Sequence, residues 1–287
     1  MTAVFKHELR MYFRSLTAYA FGAFLLVFVG LGAMLYNIQA AVSNFEFVLS
    51  FSSLGFVVIV PILTMRVIAE EKKQKTDQLL YSLPITTTQV VLGKYLALLV
   101  MYLIPMAVIC MYPLIFAQFG DVYLLTAYGS LFAFYLMGAA LIAIGVFISS
   151  LTDNQGFAAG IGIAVILLNY YSVSLSEYVS STAFGSVAAL LVLTLIFGSV
   201  IHHLTGNENF AFGVCVFGMA VIFISYMLNS SVFEGLLPSI MEKLSLFDRF
   251  SSFINGVFDM TSVVYDLTVI VFFLFLSVQS LEKRRYN

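Results

Sequence analysis

Apolar residues along this chain run in blocks of membrane-spanning length, and polar residues collect between the blocks. Eight such stretches stand out: Thr17–Tyr36, Phe47–Met65, Tyr95–Ala117, Leu124–Ile148, Phe157–Val173, Phe184–Ile201, Phe210–Leu228 and Val263–Leu281. A helix that crosses a bilayer needs about 17–25 such residues, so each stretch predicts a spanning helix. Ahead of them, residues 1–16 have a different period. Val4, Phe5, Leu9, Tyr12, Phe13 and Leu16 fall on one helical face, with Lys6, His7, Arg10 and Arg14 opposite. That pattern predicts an amphipathic helix lying flat in the headgroup region.

The long polar break early in the chain is Thr64 to Lys94. It carries Arg66, Lys72, Lys73, Lys75 and Lys94. Arg66 through Gln78 reads as a helical continuation of the second span, with Glu71 and Lys75 able to pair one turn apart. Leu79, Leu80 and Tyr81 then form an apolar knob. Pro84 stops the helix, because a residue before proline avoids the helical region. Thr86, Thr87 and Thr88 can cap a new helix that enters the third span. The expected product is a helix, a corner and a second helix outside the membrane, where a solvated anchoring loop would need neither knob nor corner.

Composition agrees with the pattern. The chain is 61% hydrophobic and 10% charged, with a mean hydropathy of +1.02, against about 25% charged residues in a soluble domain. Too little charge is present to cover a water-facing surface. An all-α, polytopic transmembrane bundle follows, with about eight spans or six plus a re-entrant hairpin. The hairpin question concerns the sixth and seventh stretches, whose connecting turn from His202 to Asn209 holds no Lys or Arg; their lengths favour full crossing. The segment 229–262 mixes polar and apolar residues and predicts short helices on the outer membrane surface. No cleavable leader is expected at the basic N-terminus.

Charge placement sets the orientation. With both termini inside, eleven of the thirteen basic residues are cytoplasmic, and Lys243 and Arg249 alone lie outside. The positive-inside rule selects this topology. Residues 282–287 become a cytoplasmic tail.

Candidate chemistry is sparse. A P-loop needs a glycine five residues before Gly-Lys and a Ser/Thr after it, whereas Gly93-Lys94 has Thr88 and Tyr95 at those places. No ATPase site is expected, nor any bound cofactor, catalytic group or metal. Asp266 and Glu46 sit near outer ends of spans, His202 and His203 at a helix end, and Cys110 and Cys215 read as packing residues. Asp153 is placed to cap the fifth span. Gly156 and Gly160, with Gly162 after them, form a small-residue face suited to close helix packing, within the chain or between copies. Nothing suggests nucleic acid.

The stretch Pro61, Leu63, Thr64, Met65, Arg66, Glu70, Glu71, Lys72, Thr76, Asp77, Leu79, Leu80, Pro84, Ile85, Val91, Leu92, Gly93, Lys94 resembles the ABC-2 type permeases, in particular the branch named after the gliding-motility ABC transporter permease. Lys6 to Ser15, Gly145 to Gln155, Ser245 to Val257 and the end from Tyr265 to Arg285 add to the likeness, which leaves out about Phe184–Leu228. Two departures stand out: Lys75 replaces the usual glycine before Thr-Asp, and the extra hairpin exceeds the common six spans. The resemblance implies a type V exporter-like permease in a bacterial cytoplasmic membrane. Two permease subunits, identical or homologous, would pair over two copies of an ABC ATP-binding subunit that holds ATP and Mg. Residues 70–90 would be the coupling helix, with Glu70, Glu71, Thr76, Asp77, Leu79, Leu80 and Pro84 facing the ATPase. Asp153 and Asn154 would make a second contact. Gly156 and Gly160 would lie at the subunit interface, and an extracellular accessory protein could attach. Against export stands an alternative of another class: a membrane anchor that passes ATPase strokes to outer partners without moving solute.

Overall fold

The computed structural model describes residues 2–76 and 85–286. Helix α1 (Thr2–Arg14) leads through Ser15 into α2 (Leu16–Gly32), which runs on as a π-helical end, Ala33–Gln39. The second span is two helices, α3 (Glu46–Ser53) and α4 (Phe56–Thr64), and the chain continues into the short α5 (Ala69–Gln74). The third is α6 (Thr87–Ile109) with α7 (Met111–Phe116). Then follow α8 (Leu124–Leu151), α9 (Gln155–Ser176), α10 (Ala183–Thr205) and α11 (Glu208–Leu228). Two short helices, α12 (Leu236–Leu244) and α13 (Leu246–Ile254), precede the last span, α14 (Met260–Tyr286). Among the described residues there is no strand. Seven helices are long and apolar enough to cross a membrane, and the bent pair α3–α4 brings the number to eight. Both helices of the α10–α11 hairpin have spanning length, at about 1.5 Å per residue.

Helix α8 is the centre. Its most apolar window is 89% buried, against 6% for α11, and α3, α4, α6, α9, α13 and α14 all pack on it. Close approach needs small residues, since lipid gives helices no hydrophobic reason to associate and packing must do so. At Gly138 a Cβ would come within 2.6 Å of the Tyr102 ring, and at Gly145 it would collide with Thr64. The tyrosines facing α8 spend their hydroxyls on its backbone: Tyr102 donates to the Phe134 carbonyl at 2.9 Å and Tyr95 to that of Ala139 at 3.1 Å. Phe21, Phe56, Tyr102 and Phe134 pack ring against ring around them.

The second span is broken, its halves meeting at 57°. Ser52 and Ser53 turn their hydroxyls back onto the Val48 and Ser50 carbonyls, both at 2.7 Å, just before Gly55. Serine back-bonding next to glycine is a known cause of helix bending. The segment 229–262 holds the expected short helices, of which α13 buries Leu246, Phe247, Phe250 and Phe253 against the bundle, with Phe250 on Phe134 and Phe247 on Tyr170. Asn169, in mid-span on α9, holds it there. Its amide donates to the Leu244 carbonyl at 3.0 Å and accepts from the Leu246 N–H at 3.1 Å.

The polar stretch is not one continuous helix. Residues 65–68 form turns, and α5 ends at Lys75 with φ 57. The Thr76 N–H donates to the Glu71 carbonyl at 3.0 Å and the Lys75 N–H to that of Lys72 at 3.2 Å. This paired closure is the Schellman motif, whose left-handed residue is normally glycine. The resemblance called for glycine here, and the backbone gives the reason. Lys75→Gly is therefore expected to stabilise the protein by about 1 kcal/mol, read as a higher unfolding midpoint in detergent; an unchanged or lower midpoint would show that the turn opens readily.

Candidate functional site

Five elements converge at the basic end of the bundle: α1, α5, the start of α6, and the ends of α8 and α14. The pieces come from local sequence. Thr86 caps α6, its hydroxyl accepting from the Gln89 N–H at 3.3 Å, and Lys94 follows two turns on. On α1, Glu8 and Tyr12 share the buried face one turn apart.

Lys94 is enclosed, with 1% of its surface exposed. Its ammonium donates to Glu8 Oε1 at 2.8 Å and to Glu71 Oε1 at 2.7 Å. Glu8 is as deeply buried, while the Glu71 side chain keeps 27% of its surface. The three side chains thus bridge α1, α5 and α6. One ammonium serves two carboxylates here, and Glu8 Oε2 is buried without a hydrogen-bond partner. Tyr12 lies beside it. Burial first, then the Glu8, Glu71 and Glu70 carboxylates, push its phenol well above the usual tyrosine range and keep it neutral.

A second knot ties α5 to α8. The Ser149 hydroxyl accepts from the Ile68 and Ala69 N–H groups, both at 3.1 Å, and donates to the Met65 carbonyl at 3.2 Å. These bonds satisfy backbone groups that the turn at 65–68 leaves outside any helix. The Ser150 carbonyl accepts from the buried Lys72 ammonium and from the Ser280 hydroxyl of α14, the latter at 2.9 Å. A cation suits that place, because the C-terminus of α8 carries the negative end of its dipole. Thr87 donates to Glu282 at 2.8 Å, joining α6 to α14.

The predicted site residues separate into groups. Glu71 lies in the triad and pairs with Lys94 instead of Lys75. Glu70 accepts from Gln74 at 3.3 Å and Thr76 sits on the α5 cap; neither joins the triad. Asp77, Leu79, Leu80 and Pro84 lie outside the described residues. The cap of α9 is Asn154 rather than Asp153: its Oδ1 accepts from the Gly156 and Phe157 N–H groups at 3.0 and 3.3 Å. Both residues are exposed at the foot of the bundle. Gly156 and Gly160 lie on an open face of α9, while Gly162 makes the close intrachain contact: a Cβ added there would sit 3.0 Å from the Pro61 ring. The helix over residues 2–14 exists as expected, but its apolar side packs largely on α6.

Sequence reading did not single out Glu8, Lys72, Ser149 or Ser280 as one site. Their separation along the chain hid them. The available signal was chemical: a lysine seven residues inside a spanning helix requires a counter-charge. Glu46 and Asp266, placed near outer ends, are in fact buried, each with one oxygen lacking a hydrogen-bond partner. Among the described residues no cluster of His, Cys, Asp or Glu could hold a metal ion.

A sequence model of a family described as ABC-2 family transporter protein matches residues 2–281, nearly the whole chain. The match is to the family and does not distinguish the gliding-motility branch. No curated protein and no solved structure matches the chain.

Removing Lys94 leaves two carboxylates facing each other inside protein. Lys94→Met should cost about 3–5 kcal/mol, Glu8→Gln less, and Glu71→Gln least because water reaches that side chain. The double variant Glu8→Gln/Lys94→Met should recover part of the Lys94→Met loss. Unfolding midpoints of the four variants give the order; a Glu71→Gln loss as large as that of Lys94→Met would overturn it.

Proposed function

The chain belongs to the ABC-2 transporter family, a group of multi-pass membrane proteins, and from that premise we propose that it is the permease subunit of an ATP-driven exporter worked by a separate ATPase. The single observation that carries the reading is the polar junction. The segment named as the coupling helix, residues 70–90, takes in most of α5, and α5 is bonded to α6 and α1 through Lys94 and to α8 through Ser149 and Ser150. A push on it is therefore passed by directional polar bonds to three other helices.

In this reading two ATP-binding subunits dock beneath two permease chains in a bacterial cytoplasmic membrane, with both termini on the ATPase side. ATP and Mg belong to the partner. Its closure moves Glu70, Glu71, Thr76, Asp77, Leu79, Leu80 and Pro84 together, with Asp153 and Asn154 as a second footing. The ordered inner ends turn as a unit, and the bend at Gly55 in the second span takes up the difference from the outer half. Only a ligand that binds the two states differently can drive such a switch, and here that ligand is ATP on the partner. With α8 filling the centre of the described bundle, the solute path in this reading runs between two copies. The open face of α9, with Gly156 and Gly160, is suited to that pairing.

The test uses the chain co-purified with its nucleotide-hydrolysing subunit in liposomes. Leu80→Asp should insert normally yet lower transport per ATP by at least about tenfold. Unchanged transport in that variant removes the coupling assignment. Nucleotide-dependent motion with no solute moved by the native complex would instead favour the anchor that transmits force to outer partners.

A further inference from the structure

Beside the junction, on the face of α1 that carries Phe5 one turn before Glu8, lies an apolar slot. Thr2 and Phe5 of α1, Leu96, Leu99 and Leu103 of α6 and Tyr135 of α8 line this open groove of about 310 Å³. From Leu96 to Leu103 the wall extends about 10 Å along the helix, at 1.5 Å per residue. No charged side chain lines the slot.

Its rim is different. On α1, Lys6 follows Phe5 and stands one turn from Thr2, so it flanks the mouth. Arg10 and Arg14 continue the same exposed strip, and no acidic side chain interrupts it. Lys6 has no ion-pair partner among the described residues. A basic strip beside an apolar slot matches a molecule with an anionic head and a long apolar tail.

We propose that the slot between α1 and α6 binds an anionic phospholipid of the leaflet in which α1 lies, with one acyl chain along Leu96–Leu103 and the phosphate at Lys6. The leaflet is the inner one if the orientation above holds; the binding itself does not depend on that orientation or on the coupling reading. A second copy of this chain is the weaker occupant, because a two-fold contact through α1 sets its own strip of lysine and arginine against itself. The lipid has a structural consequence. It fills the groove between α1 and α6 beside Phe5, one turn from Glu8, so the helix that supplies half of the Lys94 bridge gains a second hold on α6.

The experiment is native mass spectrometry of the full chain in micelles containing equal amounts of phosphatidylglycerol and phosphatidylcholine of one acyl length. The chain should retain one phosphatidylglycerol with roughly fivefold preference. Lys6→Glu should remove the preference but keep some lipid, and Leu99→Trp should plug the slot and release both. Val100→Phe on the same wall serves if Leu99→Trp is not monodisperse. Equal retention of the two lipids by the native chain overturns the proposal, as does full retention by the plugged variants. A slot that instead seats a second copy would show as a dimer lost in Leu99→Trp with no lipid change, and that also overturns it. No ATPase is present, so the result is independent of whether the coupling segment drives transport.

Discussion

A charge inside a membrane protein must find its opposite within the protein, and the placement of Lys94 imposes that requirement on the whole basic end of this molecule. Water is absent, so the ammonium needs partners fixed in space. Glu8 and Glu71 supply them from helices that lie far apart in sequence. Satisfying one lysine thereby decides where α1 docks, which way α5 points and how α6 leaves the membrane. Of the two carboxylates, Glu71 still reaches solvent.

The remaining contacts at that end follow the same economy of polar groups. The turn at 65–68 breaks the helical ladder, and Ser149 takes up the freed backbone groups. Lys72 and Ser280 converge on one carbonyl at the end of α8. Directional bonds join these ends alongside the buried apolar side chains of Tyr12, Val67, Ile68 and Leu281. The contrast with the opposite end is clear. There the contacts are aromatic, and Asn169 alone supplies several of the bonds that seat α13.

Two parts of the molecule stand outside this tied body. The α10–α11 hairpin is tight within itself, where Gly218 approaches Thr194 and Gly198 approaches Cys215, yet α11 rests chiefly on α10. The face of α9 that carries Gly156 and Gly160 is likewise open. Both surfaces are apolar, which lipid or protein can cover equally well, so their hydrophobicity alone does not choose.

Sequence alone determined the helical class, the spans and the inner polar stretch. These are local properties: apolar length, amphipathic period and capping chemistry act within a few residues. The family resemblance marked Lys75 as a departure, and the left-handed helix end seen at Lys75 supplies the reason. What sequence alone could not reach were pairings between distant residues. Glu71 was matched to Lys75 because those two are near in sequence, whereas the deciding partner, Lys94, comes from another helix. Glu8 looked like one charge among many on α1 until burial singled it out. The bend at Gly55, the burial of α13 and the choice of Asn154 over Asp153 as a cap were also settled in three dimensions. The physical reason is common to all of them: desolvation and close packing depend on what surrounds a group, and the surroundings exist only once the helices have assembled.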